Sequence, residues 1–559
     1  MTDFDAIVIG SGISGGWAAK ELTERGLKVM MIERGPMIEH GSGYVTETTA
    51  PWDLPYRGFG DPRLFERDYA VQSQGMGFDE WTYRHFVSDA QHPYQTSETD
   101  PFSWRRGYQL GGKSLLWGRQ CYRMSDLDFG ANAADGHGVD WPIRYADLSP
   151  WYDHVEDFIG VSGSRDGLPQ LPDGVYQPPM ALNPLELEIK ARVEARWPDR
   201  RVTIGRTSNL TEPKPGRAKC QYRSICARGC SYGAYFSTQS STLPAAQATG
   251  RLTLRTDAVV DRILHDPATG RATGVEIIDT QSEERSRVTA RVIFSCAGTI
   301  NSVGVLLRSA SEAFPHGLGN TNDVLGRYFM DHALTASVIA EIPGFDEHIY
   351  FGNRPAPFII PRFVNLANAE RDVLRGYSYQ AVTYRRGWPK GFNIAGVGAD
   401  YKDQLHAPGP WILFLGAFAE TLPNAENRIT LAPNAVEANG LPQMRIDFRY
   451  GANERALLAR AQAEAQAMVG LVGAKILSTS AEPGPGGSAV HEMGGARMGR
   501  DPATSILNGR NQIHGVDNVF VTDGAAMAST ACQNPSLTYM AMTARAAAFA
   551  VEQMQAGAL

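Results

Sequence analysis

The segment Phe4–Gly35 limits what this chain can fold into more than any other stretch. It opens with Ala6–Ile9, a short apolar run with the length and composition of a buried parallel strand. Gly10, Gly12 and Gly15 follow in the spacing G-x-G-x-x-G. The first glycine permits a tight turn, the second lets the backbone approach a pyrophosphate, and the third lets helix and strand pack closely. The pattern predicts a strand–turn–helix unit that binds a dinucleotide.

The residues after the glycines complete this unit. A helix is predicted over Trp17–Arg25, and its N-terminal N–H groups would favour a phosphate. The second strand, Leu27–Ile32, ends at Glu33, which can accept hydrogen bonds from the ribose 2′-hydroxyl of adenosine. Because an acid disfavours a 2′-phosphate, we expect FAD or NAD rather than NADP. Ser14 and Arg34 are further predicted cofactor contacts, and a glycine-rich turn without a ligand is the alternative.

Length and composition bound the class of protein. A chain of 559 residues exceeds one typical domain, so two or more lobes are expected. The net charge of −7 gives no basic excess for nucleic acid or an anionic membrane. No apolar run reaches about 18 residues, which predicts no transmembrane helix. The nucleotide strand begins almost at Met1, so we expect no signal peptide and, by default, a cytoplasmic location.

Composition also suggests how the chain divides into lobes. A discontinuous nucleotide-binding domain is predicted from residues 1–45, 105–334 and 481–559, and a substrate-binding domain from residues 335–480. Residues 46–104 are predicted to form an excursion, either a lid, an oligomer contact or a solvated loop region.

Strands in both predicted lobes can be read from the sequence. In the first, a small antiparallel meander is expected from Leu252–Arg255, Ala258–Leu264, Ala272–Asp279 and Ser286–Ile293, followed by a separate strand, Val292–Gly298. In the second, we expect a separate sheet that contains the strand Trp411–Phe418, the turn Asn439-Gly440 and the helix Glu454–Val472.

Other short motifs add candidate cofactor contacts. Gly111 and Gly112 precede Ser114, a pattern that suits close backbone approach to a ligand, although it is equally typical of a glycine turn before a helix. Near the C-terminus, Asn534 stands just before a predicted helix, whose N-terminal end would present a positive dipole. Seven further cofactor contacts are expected, on strands, at strand tips and around that helix start: Val259, Ala297, Gly298, Asp523, Gly524, Pro535 and Ser536.

These motifs, in this order, resemble the glucose–methanol–choline (GMC) oxidoreductase family. The resemblance covers residues 5–35, 111–112, 297–302, Glu426-Asn427-Arg428, His491 to Gly499 and Asp523 to Thr538. It implies an α/β fold with two domains. One is a Rossmann-like FAD-binding domain, and the other is a discontinuous α+β substrate domain built on an antiparallel sheet. Trp117 stands where the family usually has an Asn near the flavin, and the absence of histidine in 105–120 predicts non-covalent FAD.

The resemblance also implies catalytic residues. His491 matches the family histidine in the context H-x-x-G-x-x-x-M-G, which lies over the flavin and accepts a proton, and Asn534 matches its partner. Alcohol oxidation needs removal of a hydroxyl proton and delivery of a hydride to flavin N5, and imidazole suits the base role. The alternatives are a structural histidine beside a glycine turn and a simple helix cap at Asn534.

Three of the six cysteines fall within eleven residues. Cys220, Cys226 and Cys230 lie in the segment 218–236, without a fourth ligand nearby that would favour zinc. The segment resembles the part of bacterial FAD sugar dehydrogenases in which three cysteines hold a 3Fe–4S cluster. It is therefore expected to be either such a cluster site or a structural segment without iron.

Three segments resemble the corresponding sequences in catalytic subunits of bacterial glucoside 3-dehydrogenases: GWAAKELT, GAYFSTQSSTLPAA and TACQNPSLTYMA. This implies oxidation of a secondary hydroxyl of a sugar or glycoside, with C3 favoured, and electron transfer to an external acceptor. A small helper subunit that carries the export signal and a cytochrome acceptor are the implied partners, which leaves periplasmic location open. The alternatives are an oxidase that uses O2, oxidation of a non-sugar alcohol, a lyase that does not turn FAD over, and a NAD-dependent reductase.

Overall fold

The structure is a computed structural model that describes residues 2–348, 354–366, 372–385 and 394–559. Its strands are β1 (Phe4–Ile9), β2 (Val29–Ile32), β3 (Gln95–Thr96), β4 (Thr203–Ile204), β5 (Leu252–Arg255), β6 (Ala258–Asp266), β7 (Arg271–Asp279), β8 (Arg285–Ser295), β9 (Ser337–Ile342), β10 (Phe358–Ile360), β11 (Tyr377–Arg385), β12 (Trp411–Ala419), β13 (Arg428–Val436), β14 (Pro442–Asp447), β15 (Lys475–Ser480), β16 (Gln512–Ile513) and β17 (Val516–Val521).

The helices alternate with these strands along the chain. They are α1 (Ile13–Glu24), α2 (Pro62–Asp68), α3 (Asp126–Phe129), α4 (Ala131–Asp135), α5 (Tyr145–Ile159), α6 (Pro184–Arg196), α7 (Leu243–Ala248), α8 (Thr299–Arg308), α9 (Gly398–His406), α10 (Ala452–Gly470) and α11 (Ser536–Gln555).

The first sheet contains the N-terminal unit at its centre. Its strand order is β16-β17-β8-β1-β2-β5, and the pairs from β17 to β5 are all parallel. Side chains alternate across β1, so Ala6 and Val8 pack with α1 and α11 while Ile7 and Ile9 face the main core. Burial on both faces is what a parallel sheet with helices on its surfaces requires.

Strand β8 joins the central sheet to an antiparallel extension. Its first half pairs with β7, from Arg285 to Thr289, and its second half pairs with β1, from Ala290 to Ser295. The prediction of two separate strands over Ser286–Ile293 and Val292–Gly298 is therefore wrong. The predicted meander is also smaller than expected, because β5 pairs in parallel with β2 instead.

The second sheet is antiparallel and is separate from the first, as the sequence predicts. Its strand order is β15-β9-β12-β11-β10-β4, and every adjacent pair is antiparallel. Strand β4 comes from Thr203–Ile204, far from the other strands in sequence, so the two lobes interleave along the chain. Helix α10 packs on this sheet through Leu457, Ala461 and Met468.

A small third sheet consists of β13, β14 and β3. The hairpin β13–β14 turns at Asn439-Gly440, as predicted, and β3 pairs in parallel with β14. Helix α1 begins at Ile13, four residues before its predicted start. Across the described parts of the chain, none of the helices has the length and apolarity needed to span a bilayer.

Candidate active site

The turn after β1 brings Gly10, Gly12 and Gly15 to the carboxyl end of the central strands. Gly10 has a φ of +91°, and a Cβ there would lie 2.6 Å from the carbonyl oxygen of Cys296. A Cβ on Gly15 would lie 1.9 Å from the oxygen of Gly10, so α1 can pack here only on glycine. Gly12 precedes α1, and an added Cβ would meet no atom within 4 Å. The N-terminus of α1, with Ser14 buried in its first turn, therefore opens onto free space.

Glu33 is held by a short hydrogen-bond network. Its Oε2 accepts from the backbone N–H of Ser11 at 3.1 Å and from the Ser11 hydroxyl at 2.6 Å, and its Oε1 accepts from the N–H of Gly35 at 3.0 Å. Burial raises the pKa of Glu33. The Ser11 hydroxyl oxygen in turn accepts from the N–H of Gly111 at 2.8 Å. One carboxylate thus joins the first glycine turn to the second.

The second glycine turn lies directly against the first. Gly111 and Gly112 have φ values of +81° and +50°, which favour glycine. A Cβ on Gly112 would lie 3.5 Å from the Cα of Gly12. The hydroxyl oxygen of Ser114 accepts from the N–H of Thr238 at 3.1 Å.

Arg34 and Val259 lie on the side of Glu33 that faces the third sheet. The Arg34 guanidinium contacts Glu437 at 3.0 Å and stacks 3.7 Å from the ring centre of Tyr108. Val259 is buried on β6 beside Leu441. The hairpin β13–β14 therefore closes this side of the dinucleotide unit.

Asp523 connects the tip of β17 to the turn between β8 and α8. Its Oδ2 accepts from the N–H of Gly298 at 2.9 Å and from the Ser302 hydroxyl at 2.5 Å. The same hydroxyl oxygen accepts from the N–H of Ala297 at 3.1 Å. Burial raises the pKa of Asp523 to about 6. The turns after two parallel strands are thereby fixed to each other.

The backbone beside His491 is fixed between α8 and α11. The carbonyl oxygen of Glu492 accepts from the Thr299 hydroxyl at 2.6 Å and from the Tyr539 hydroxyl at 3.1 Å. A Cβ on Gly524 would lie 2.3 Å from that oxygen, so only glycine fits there. The side chain of Glu492 forms an ion pair with Lys113 at 2.7 Å.

His491 and Asn534 come together although 43 residues separate them. Nε2 of His491 lies 3.1 Å from the amide nitrogen of Asn534. The amide oxygen of Asn534 accepts from Gln380 on β11 at 2.5 Å. Pro535 immediately precedes α11, which starts at Ser536, rather than occupying its first turn. The pair therefore lies in front of the N-terminus of α11.

Two contact residues in this group are not predicted from the sequence. Nδ1 of His332 lies 2.9 Å from Nδ1 of His491, and Nε2 of His332 lies 2.7 Å from the carbonyl oxygen of Ala531. Asp331 accepts from the backbone N–H groups of His491 at 2.9 Å and Ala489 at 3.3 Å. No spacing rule connects these residues to His491, and the adjacent acid and imidazole Asp331-His332 are the only local signal.

The protein surroundings keep both imidazoles neutral. Burial holds the pKa of His491 well below its usual value, a charge on the adjacent His332 ring would lower it further, and the charge of Lys113 acts in the same direction. Burial also lowers the pKa of His332 to about 4. In contrast, burial raises the pKa of Asp331 to about 7, with the charge of Glu492 adding to the effect.

A cleft beside Asn534 offers polar groups to a ligand. It lies between β10, β11 and the chain around Gln533. Its polar lining consists of Tyr122, Gln170, Arg362, Ser378, Gln380 and Gln533. Because Gln380 also bonds to Asn534, the cleft lies next to the His491–Asn534 pair.

Cys220, Cys226 and Cys230 lie in one loop with free thiols. The N–H of Tyr222 points to the sulfur of Cys220 at 3.4 Å, and Arg223 contacts the sulfur of Cys230 at 3.7 Å. Burial raises the pKa of the Cys220 thiol, and the charges of the other two cysteines add to this. The three sulfur atoms are therefore within electrostatic range of one another.

The cysteine loop contains residues in the left-handed region and contacts the excursion, residues 46–104. Tyr222 and Ser224 have φ values of 55° and 58°, in the left-handed region. Glu47 accepts from the N–H of Ser231 at 3.0 Å and forms an ion pair with Arg223. Within the described ranges, no three His, Cys, Asp or Glu side chains are arranged to hold a metal ion.

Comparison with known proteins places the chain in a family. The N-terminal and C-terminal models of the GMC oxidoreductase family match residues 4–334 and 423–543. The chain is 28% identical to 2-methyl-1,2-propanediol dehydrogenase of Mycolicibacterium austroafricanum over 97% of this chain and 94% of that one. It is 23% identical to the fructose dehydrogenase large subunit of Gluconobacter japonicus over 99% and 98%.

The fold agrees with the sequence match. A structure of an Aspergillus oryzae formate oxidase variant, studied for its FAD modification, covers 100% of both chains with a TM-score of 0.62 at 13% identity. The predicted α/β fold class is thereby confirmed, and the family match supports FAD as the cofactor. The chain belongs to the GMC oxidoreductase family, as its motifs predict.

Proposed function

We propose that this protein is an FAD-dependent dehydrogenase that oxidises a secondary hydroxyl of a sugar or glycoside, with C3 favoured. The observation that carries the proposal is the contact between His491 Nε2 and Asn534 Nδ2 at 3.1 Å in front of α11. A proton acceptor and a hydroxyl-positioning donor side by side are what alcohol oxidation requires.

His491 and Asn534 have different roles at the substrate hydroxyl. Neutral His491 takes the hydroxyl proton at Nε2, since its pKa is held low enough for the base to be free at neutral pH. The amide N–H of Asn534 donates to the hydroxyl oxygen, and Gln380 keeps the amide in that orientation. A bound FAD would supply the acceptor for the hydride that leaves the alcohol carbon.

The residues of the dinucleotide unit fit FAD. Gly12 leaves open space in front of α1, where N–H groups and the helix dipole favour the pyrophosphate. Glu33 remains the candidate ribose contact, with its carboxylate already oriented by Ser11 and Gly35. The buried Asp523–Gly298 contact and the N-terminus of α11 complete the residues that would hold the cofactor.

The cleft beside Asn534 supports a polyhydroxylated substrate. Amide, hydroxyl and guanidinium groups from Gln170, Ser378, Gln380 and Arg362 can donate and accept several hydrogen bonds at once. Similarity to a fructose dehydrogenase subunit agrees with this substrate class.

The cysteine loop supports a route for electrons to an external acceptor. We propose Cys220, Cys226 and Cys230 as ligands of a 3Fe–4S cluster. Each thiolate of such a cluster binds a different iron, so its ligands need not converge on one ion. Backbone strain at Tyr222 and Ser224 is typical of a loop built around a site. The name "large subunit" of one relative agrees with a partner subunit. We propose a small helper subunit and a cytochrome acceptor as the partners.

One assay tests this function. The purified holoenzyme is given a panel of sugars, glycosides and simple alcohols with an artificial acceptor, under argon and in air, and the product is examined by carbon-13 NMR. We expect turnover with sugars under argon and a new ketone carbon at C3. Turnover that requires air and releases peroxide would identify an oxidase instead, and turnover of simple alcohols alone would contradict the sugar assignment.

A further inference from the structure

A continuous line of hydrogen bonds runs from a backbone carbonyl to the proposed catalytic base. The carbonyl oxygen of Ala531 lies 2.7 Å from Nε2 of His332, whose Nδ1 lies 2.9 Å from Nδ1 of His491. Nε2 of His491 then lies 3.1 Å from Asn534. The two imidazoles are nearly perpendicular, at 85°, and Phe418 packs against both.

The carbonyl at one end sets the direction of the bonds. A carbonyl oxygen can only accept, so Nε2 of His332 carries a hydrogen. Burial lowers the pKa of His332 to about 4, so at neutral pH this ring has a single N–H. Its Nδ1 therefore has a lone pair and accepts the hydrogen bond from His491.

The same reasoning applies to the second ring. His491 must donate through Nδ1 to His332, and its low pKa leaves it neutral with one N–H. Its Nε2 is consequently unprotonated and accepts a hydrogen bond from the amide N–H of Asn534. Gln380 donates to the oxygen of Asn534, which independently requires the amide nitrogen to face His491.

We infer that His332 is a positioning residue that fixes the tautomer of His491 and keeps the Nε2 lone pair available to the substrate proton. This inference rests on the proposed role of His491 as the base. A free neutral imidazole divides between two tautomers, and the one with hydrogen on Nε2 cannot accept there. Once His491 has taken the proton, its Nδ1–H bond to neutral His332 becomes charge-assisted and stabilises the cation.

The backbone around the line is held in an unusual conformation. Ala531, whose carbonyl meets His332, has a φ of 58°, and Val490, just before His491, has a φ of 56°. The left-handed region is unfavourable for a residue with a Cβ, which there approaches the following carbonyl oxygen. Such strain persists where surrounding contacts demand a particular geometry, here the direction of one carbonyl and one imidazole.

The charged groups nearby do not replace His332 as the partner of Nδ1. Asp331 accepts from the backbone N–H of His491, and Lys113 forms its ion pair with Glu492. Glu420 acts on His332 at a distance, in the direction that raises its pKa.

The test uses three variants of the full-length holoenzyme. His332→Leu removes the acceptor for His491, whereas His332→Gln keeps one donor and one acceptor in an amide of similar reach. His85→Leu is the matched control, because it removes a different buried imidazole whose Nδ1 has no hydrogen bond in the described structure. Nitrogen-15 NMR of histidine-labelled protein reads the tautomer, with the His491 signals assigned by their loss in His491→Ala.

In the unaltered protein we expect Nδ1 of His491 to be protonated and Nε2 to be bare. His332→Leu should give a mixture of tautomers and slow anaerobic flavin reduction at least about tenfold, part of the 10²–10⁴-fold effect of a positioned base. His332→Gln should restore most of the rate, and His85→Leu should change neither readout.

Two results would overturn the inference: a protonated Nε2 in the unaltered protein, or a His332→Leu variant with unchanged tautomer and rate. If His332→Leu does not fold, two measurements still test the inference. They are the His491 tautomer in the unaltered protein and the rate of flavin reduction in His332→Gln. Failure of the proposed function is distinguishable, since in that case His491→Ala would reduce flavin at the normal rate whatever the tautomer.

Discussion

At the scale of single residues, the proposed chemistry depends on an imidazole kept neutral by its surroundings. Burial and the nearby charge of Lys113 hold the pKa of His491 below its usual value. An ordinary histidine would be half protonated near pH 6.5 and would lose its function as a base there. His491 should therefore remain a free base at lower pH.

This gives a prediction for the pH dependence of flavin reduction. Since a lowered pKa moves protonation of the base to lower pH, the anaerobic rate constant should stay level from about pH 8 down to about pH 6.5 and fall only below that. Rapid mixing with saturating substrate at each pH measures it. A fall that begins well above pH 6.5 would show that His491 is not held neutral, or that Asp331, whose pKa is raised to about 7, controls the rate.

The sequence predicts only part of the site at this scale. His491 and Asn534 are found because each stands in a recognisable local motif, and the structure brings them within 3.1 Å. His332 and Gln380 are not found, because their roles come from long-range packing: Gln380 reaches Asn534 from a strand of the second sheet, 154 residues earlier. No local pattern records such a contact.

At the scale of elements, the glycine turn decides whether α1 can pack on β1. A Cβ on Gly15 would lie 1.9 Å from the oxygen of Gly10, which is backbone and cannot move without displacing the strand. The predicted helix start at Trp17 was too late for the same reason. Glycine is a poor helix former, so propensity disfavours Gly15 and Gly16 in a helix, but close packing requires glycine there.

Substitution of this glycine is a test at the element scale. Gly15→Ala should lower the free energy of unfolding by about 2 kcal/mol or more and reduce FAD retention, because the helix must move away from the strand. Thermal unfolding and the ratio of flavin to protein absorbance measure the two effects. Gly470→Ala, at the end of α10 where a Cβ meets nothing within 4 Å, is the matched control. Equal behaviour of the two variants would refute the packing argument.

Strands show the same limit of sequence-based prediction. The long strand β8 was divided in two because its first half is partly exposed and its second half is buried, so the pattern changes at Ala290. Strand β4 has only two residues and exists through its pairing with β10, which no periodicity can reveal.

At the scale of the whole molecule, the cysteine loop is the proposed exit for electrons. Cys226→Ser should abolish most of the iron content and transfer to an external acceptor, while glycoside still reduces the flavin, because the loop lies apart from His491 in the contacts described above. Iron analysis and parallel assays of the two half-reactions measure this. Cys121→Ser, a thiol outside the loop, is the control. Iron-free unaltered protein, or equal loss of both half-reactions, would indicate a structural loop instead.

The central claim is that His491 accepts the substrate proton during oxidation of a sugar hydroxyl. The most direct measurement is stopped-flow absorbance of the flavin after anaerobic mixing with a glycoside, in the unaltered enzyme and in His491→Ala with FAD still bound. We predict rapid bleaching in the unaltered enzyme and bleaching slowed by about 10²–10⁴-fold in the variant. Bleaching at the same rate in both, or no bleaching of the unaltered enzyme by any sugar, would contradict the account.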